Sequence, residues 1–242
     1  MSGLLVAIDP YIARLNAGVN EGFFGPINTT VLKLTQPDPE QVVRTSYLKR
    51  SYGQALDSYN RPQPLEIEFT IDECDPDLLA MGMLGTAATY AQAARLSTDA
   101  ATDVVVRLDK WVSLSHNSLT EFAIAGKTEG TDYEVNLEAG LLRALSGGTI
   151  ADGATVSYTA AATARAGHQI DAGTNSILQI GIRGPGKNLF TGKLLELEVW
   201  QANVSPSGGM DFISKDPISM TFKGTVIVPA GKPGPYRYIE YA

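Results

Sequence analysis

The sequence predicts a mainly β fold of the α+β kind, with one short flanking helix and a small inserted β domain. Three observations predict it. Separate stretches alternate apolar and polar residues with period two, 24 Gly and 13 Pro supply turns, and one short segment carries both helix-start and helix-stop signals. The alternating stretches are Leu65-Glu-Ile-Glu-Phe-Thr-Ile-Asp72, Leu195-Glu-Leu-Glu-Val-Trp200 and Ile218-Ser-Met-Thr-Phe-Lys223. Pleating sends Ile67, Phe69, Ile71, Leu195, Leu197, Val199, Ile218, Met220 and Phe222 to one face. It sends Glu66, Glu68, Asp72, Glu196, Glu198, Ser219 and Lys223 to the other. The apolar face needs a cover.

Along the chain, Met1 to Pro64 reads as irregular, with one strand at Thr30–Leu34 ended by Gln36-Pro-Asp-Pro39. Tyr47 to Pro64 reads as a long connection mixing tyrosines with cations. Tyrosine and arginine combine large contact area with polar tips, so Tyr47, Arg50, Tyr52, Tyr59 and Arg61 are candidate residues of a protein contact, a solvated loop being the alternative. After the strand at Leu65, Asp75 can cap a helix, Pro76 suits its first turn, Asp77 favours its positive end and Gly85 can end it. Leu78, Leu79, Met81 and Leu84 give that helix an apolar face. Val104–Leu108, Thr120–Ile124, Tyr133–Asn136 and Thr155–Thr159 then read as strands of a separate small β unit. Alanine-rich flanks enclose it. This divides the chain into a discontinuous domain, 1–102 with 164–242, and an inserted domain, 103–163.

A formal charge of −7 and a pI near 4.9 oppose a surface that grips phosphate, which nucleic-acid binders use for most of their affinity. The single Cys74 excludes an intramolecular disulfide. Leu4–Ile8 is apolar, but no basic residue precedes it and Asp9-Pro10 interrupts it. It reads as neither a signal peptide nor a membrane segment.

No chemical motif survives inspection. Gly181-Ile-Arg-Gly-Pro-Gly-Lys187 begins like a phosphate loop, but Asn188 stands where Ser or Thr should hold magnesium and a strand follows where a helix should; it reads as a glycine-rich loop between strands. The acidic run Asp72–Asp77 lacks calcium-loop spacing and is better explained by helix capping. Glu66/Glu68 and Glu196/Glu198 offer paired carboxylates without a difference in surroundings that would make one an acid and the other a nucleophile. His116 and His168 share no metal-ligand spacing with each other or with Cys74, and no Gly-x-Ser-x-Gly elbow occurs. The expectation is a protein without catalysis, cofactor or metal.

The order of features resembles phage major tail tube proteins. The resemblance rests on Ser51-Tyr-Gly-Gln-Ala-Leu-Asp-Ser58, Glu66–Glu73, Leu78–Gly85, and the stretch from Gly130–Asn136 to Gly153–Tyr158, with late strands ending in Tyr236-Arg-Tyr-Ile-Glu-Tyr241. It implies a β-sandwich subunit of two packed antiparallel sheets in hexameric rings whose sheets join into an inter-subunit barrel, the rings stacking into a virion tube, with Tyr47, Arg50, Tyr52, Tyr59 and Arg61 on an inter-subunit arm that reaches a neighbouring copy. It also implies tape-measure and tail terminator partners, genomic DNA passing without tight binding, and assembly in the host cytoplasm. A bore that must not hold DNA suits carboxylates, so Glu66, Glu68, Glu196 and Glu198 are candidate lumen-facing residues. The alternative is a carbohydrate-binding or decorating β-sandwich, with Trp111, Trp200 and the tyrosines as stacking faces.

Overall fold

The computed structural model describes residues 3–242 as a mainly β chain with one short helix, divided into two compact units. One unit comprises the chain to Ala87 and from Ile170 onward; the other is Ala88–Gln169.

In the first unit the strands are β1 (Val6–Ile8), β2 (Tyr11–Asn16), β3 (Val19–Phe24), β4 (Thr29–Thr35), β5 (Glu40–Thr45), β6 (Ala55–Arg61) and β7 (Glu66–Ile71). Helix α1 (Pro76–Gly82) and β8 (Thr86–Gln92) follow, the latter running into the second unit. The second unit holds β9 (Thr102–Val105), β10 (Val112–Ser113), β11 (Leu119–Ile124), β12 (Tyr133–Asn136), β13 (Leu141–Ala144) and β14 (Thr155–Ala162). The chain returns along β15 (Arg165–Asp171), which pairs with β8, and ends with β16 (Leu178–Asn188), β17 (Leu194–Pro206), β18 (Met220–Val226) and β19 (Tyr236–Glu240).

Hydrogen bonds join nine strands of the first unit into one sheet, where the sequence reading divides the core between two sheets. The long hairpin β16–β17 is the reason. Its inner half pairs outward to β2 and β18, continuing the order β3-β2-β16-β17-β18-β7-β4, while its outer half pairs with β1 and β19. A bulge where Ile180 faces Ala202 but Ile182 faces Val199 keeps both halves apolar on the same side. That side buries Ile12, Ile67, Phe69, Ile71, Ile180, Ile182, Val199, Val204, Met220 and Phe222. Among the described residues the sheets form no closed barrel.

Leu78 and Met81 lay α1 on this core. Asp75 caps it as expected, its carboxylate accepting from the Asp77 amide at 3.0 Å. The stop differs: Leu84, not Gly85, takes the left-handed conformation with φ of 49°. Gly85 is needed for another reason, because a Cβ there would lie 2.7 Å from the Asp171 carbonyl. Gly82, unfavourable in a helix on propensity, lets Met210 and Met220 pack against the backbone.

The Gly181–Lys187 run is not a loop but the middle of β16. Its glycines allow close approach: a Cβ on Gly186 would meet the Ala7 carbonyl at 2.5 Å, and one on Gly184 would strike Ile8. Met1 to Pro64, read as irregular with a single strand, contains six among its described residues. Strands β2 and β3 escaped because their burial does not alternate.

The second unit packs two three-stranded antiparallel sheets, β10-β13-β12 and β11-β14-β9, around Val106, Leu142, Tyr158 and their neighbours. Its bounds are wider than 103–163 because Arg95 belongs to it: the Arg95 amide and carbonyl pair with Ala162, and its guanidinium reaches Thr102 Oγ1 at 2.8 Å and the Ala100 carbonyl at 2.8 Å. Asp132, buried, ties two loops by accepting from the Thr128 and Thr149 amides and the Thr149 hydroxyl. Those hydrogen bonds hold its pKa at about 2.

Candidate functional site

The segment around Tyr47–Pro64, read as a loop, is half of a β-hairpin. Strands β5 and β6 pair antiparallel with Glu40 opposite Arg61, Val42 opposite Tyr59 and Arg44 opposite Asp57. On one face the apolar pair Val42/Tyr59 therefore lies between two ion pairs: a forked Arg44–Asp57 contact at 2.8 Å and a looser Arg61–Glu40 contact at 3.9 Å. All seven residues of β6 and five of six in β5 are exposed, so the ribbon owns no core. Isolated two-stranded hairpins are marginal in water and require a further layer. Sequence reasoning found Tyr59 and Arg61 but missed Val42 and Leu56. Alternation is invisible where both faces are open.

The ribbon's turn is nonetheless well tied. Ser46, buried, bonds its amide to the Gln54 carbonyl and its hydroxyl to Ser51 Oγ at 2.7 Å, while Gly53, at φ of 80°, returns its amide to the Ser46 carbonyl. On this base Tyr47 and Tyr52 meet edge to face at 6.0 Å, although they are 81% and 73% exposed. Leu48, Lys49 and Arg50 are exposed beside them.

The second feature is the side of the nine-stranded sheet turned away from its core. Strand register places Glu66 and Glu68 there, and the alternation Leu195/Glu196/Leu197/Glu198/Val199 around core Val199 places Glu196 and Glu198 there too. The four candidate carboxylates share this face but not one environment. Glu68 lies in a row between Lys33 and Lys223, touching the Lys223 ammonium at 3.1 Å. Glu66 stands in the next row between Thr35 and Thr225. These two rows line a shallow groove of about 420 Å³.

Glu196 accepts from the Arg183 guanidinium at 2.5 Å and from the Tyr241 hydroxyl at 3.0 Å. The Arg183 and Tyr241 hydrogen bonds hold the Glu196 carboxyl below its ordinary range, and the carboxylate in turn raises both partners. Glu198 lies opposite Arg183 on β16 and Arg237 on β19, with no ion pair among the described residues. The face that carries these four carboxylates is mixed in charge, with Lys33 and Lys223 beside Glu68 and Arg183 and Arg237 beside Glu198.

Of the aromatic residues proposed for sugar stacking, the two tryptophans carry cations on their rings, while Tyr47, Tyr52 and Tyr59 are exposed. Lys232 sits 4.8 Å from the Trp200 ring centre and Arg237 5.5 Å, while Arg143 covers Trp111 at 4.8 Å. No helix among the described residues is long and apolar enough to cross a membrane.

Residues 11–236 match the model of a family described as protein of unknown function UCP028589. The chain belongs to that family. The UCP028589 match runs from the first residue of β2 to the first of β19, so both compact units and the ribbon fall inside it. No curated protein matches the sequence.

Proposed function

We propose that the chain is a structural subunit that works by self-assembly, forming stacked hexameric rings of a phage-type tail tube through which DNA passes. The observation that carries this reading is the ribbon: a tied hairpin with an apolar pair framed by ion pairs and no core of its own. A neighbouring copy is the natural cover for such an element. The free edges at β3 and β4 extend the argument, since pairing them between copies would remove exposed strand edges and complete an inter-subunit barrel. Tape-measure and terminator proteins would then fill the bore and close the end. The Ala88–Gln169 unit would be the inserted domain of this subunit.

In this reading the Glu66/Glu68 half of the open sheet face lines the bore. Its carboxylates cancel Lys33 and Lys223, leaving a wet surface without excess positive charge, which DNA can pass without being held. The test is sedimentation of purified protein across a concentration series. Growth into large uniform assemblies supports the proposal, whereas a species of fixed mass at every concentration opposes it.

A further inference from the structure

The open face carries a second depression, at its β2–β3–β16–β17 end. Tyr11, Phe23 and Pro185 form apolar walls around a pocket of about 350 Å³, and the Arg183–Glu196 pair lies at its polar side. Phe23 is 46% exposed although it is a large apolar side chain on a strand. Hollows of this kind, with aromatic walls and one charged pair, are where interface anchors seat, and the commonest anchors are tyrosine, tryptophan and arginine.

The same chain presents a matching projection. Tyr47 and Tyr52 form a two-ring knob held by the Ser46–Ser51 and Ser46–Gln54 hydrogen bonds, so little freedom remains to be lost on docking. The tip adds Lys49 and Arg50 and no acidic residue between Tyr47 and Gln54. The pocket strand presents Glu196 and Glu198, of which Glu198 has no ion pair among the described residues. Glu196 already accepts a tyrosine hydroxyl, from Tyr241. The aromatic walls suit the tyrosine rings, and Glu198, flanked across the strands by Arg183 and Arg237 but in no ion pair among the described residues, is the carboxylate that a tip cation can reach.

We propose that the Tyr47/Tyr52 tip of one copy seats in the Tyr11–Phe23–Pro185 pocket of another, with Arg50 set against Glu198. The inference rests on the self-assembly reading and deepens it by naming the receiving surface. Two unlike patches make the contact heterologous, so each copy both gives a tip and receives one; such contacts generate rings or filaments, where a self-complementary contact would stop at a dimer. It also divides the four carboxylates: Glu66 and Glu68 stay on open sheet, and Glu196 and Glu198 belong to a subunit contact.

The experiment uses full-length chains in a Cys74→Ser background. One carries Tyr52→Cys and the other Phe23→Cys, and each is oxidised alone and in equal mixture at a concentration where the unsubstituted protein associates. The expected result is a disulfide-linked pair in the mixture only. Linkage of Tyr52→Cys to itself as strong as in the mixture, or no mixed product, overturns the proposal. A charge exchange supplies the second arm: Arg50→Glu and Glu198→Arg should each weaken association about tenfold or more, and the doubly exchanged chain should recover most of it. Failure to recover, with unchanged thermal melting, counts against the contact. If stacked rings form without the mixed disulfide, the pocket assignment falls and the assembly reading stands. If the disulfide forms only in particles of small fixed size, the contact stands and the tube does not.

Discussion

Phe222→Ala tests how the main sheet is held together. Phe222 is fully buried and stacks on Phe69, its register partner on β7, with ring centres 4.9 Å apart and planes 12° from parallel. Truncating such a ring removes its transfer energy and leaves a cavity, at a cost of about 3–5 kcal/mol. Roughly 0.5–1.5 kcal/mol of that belongs to the ring pair, so Phe69→Ala with Phe222→Ala should cost less than the sum of the single losses by about that amount. The two tryptophans give each unit its own reporter, Trp200 in the sheet and Trp111 in the second unit. Urea unfolding followed by Trp200 fluorescence in a Trp111→Phe background should show the midpoint falling by about 1.5–2.5 M, for a slope near 2 kcal/mol per molar. A fall below about 0.5 M would refute the reasoning, because it would mean that the stacked pair is not the centre of the core.

The remaining predictions concern charge. Asp132, with its folded pKa at about 2 and an ordinary value of 3.8, contributes stability to the second unit that is fully present above about pH 4. That contribution is lost as pH falls through 2, so Trp111 fluorescence in a Trp200→Phe chain should show acid unfolding that Asp132→Asn makes far less steep. An identical acid profile in the variant would sink the assignment. Glu66→Gln combined with Glu68→Gln uncovers Lys33 and Lys223; the unsubstituted protein should show no retention of duplex DNA at physiological salt, and the variant a weak, salt-sensitive retention with a slope of about 1–2 ions. Equal behaviour of both proteins would remove the argument that these carboxylates keep the face from holding DNA.

How much was legible follows from which elements have one wet face and one dry one. Glu66–Ile71 and Thr155–Ala162 were readable because burial alternates along them. Strand β16 was hidden because Leu178, Ile180, Gly181, Ile182 and Gly184 are buried on both sides, and its glycines, which admit Ala7 and Ile8, look like loop residues in isolation. Ribbon strands β5 and β6 were hidden for the opposite reason: with both faces exposed, neither Glu40–Thr45 nor Ala55–Arg61 needs any periodicity. Residue types in the arm, Tyr47, Arg50, Tyr52, Tyr59 and Arg61, were visible as contact formers. The pairing of Val42 with Tyr59, and of Glu196 with Arg183 and Tyr241, depends on partners distant in sequence and had no local signal.

The measurement that bears most directly on the central claim is negative-stain microscopy of the purified protein over a concentration series, beside a Val42→Ser/Tyr59→Ser variant. Both residues are exposed, 52% and 65%, so the variant should melt within about 0.5 kcal/mol of the unsubstituted chain. The account predicts stacked six-fold rings with a regular axial repeat for the unsubstituted chain and isolated particles for the variant at the same concentration. Isolated particles at every concentration, or rings that form equally well without the Val42/Tyr59 pair, would contradict it.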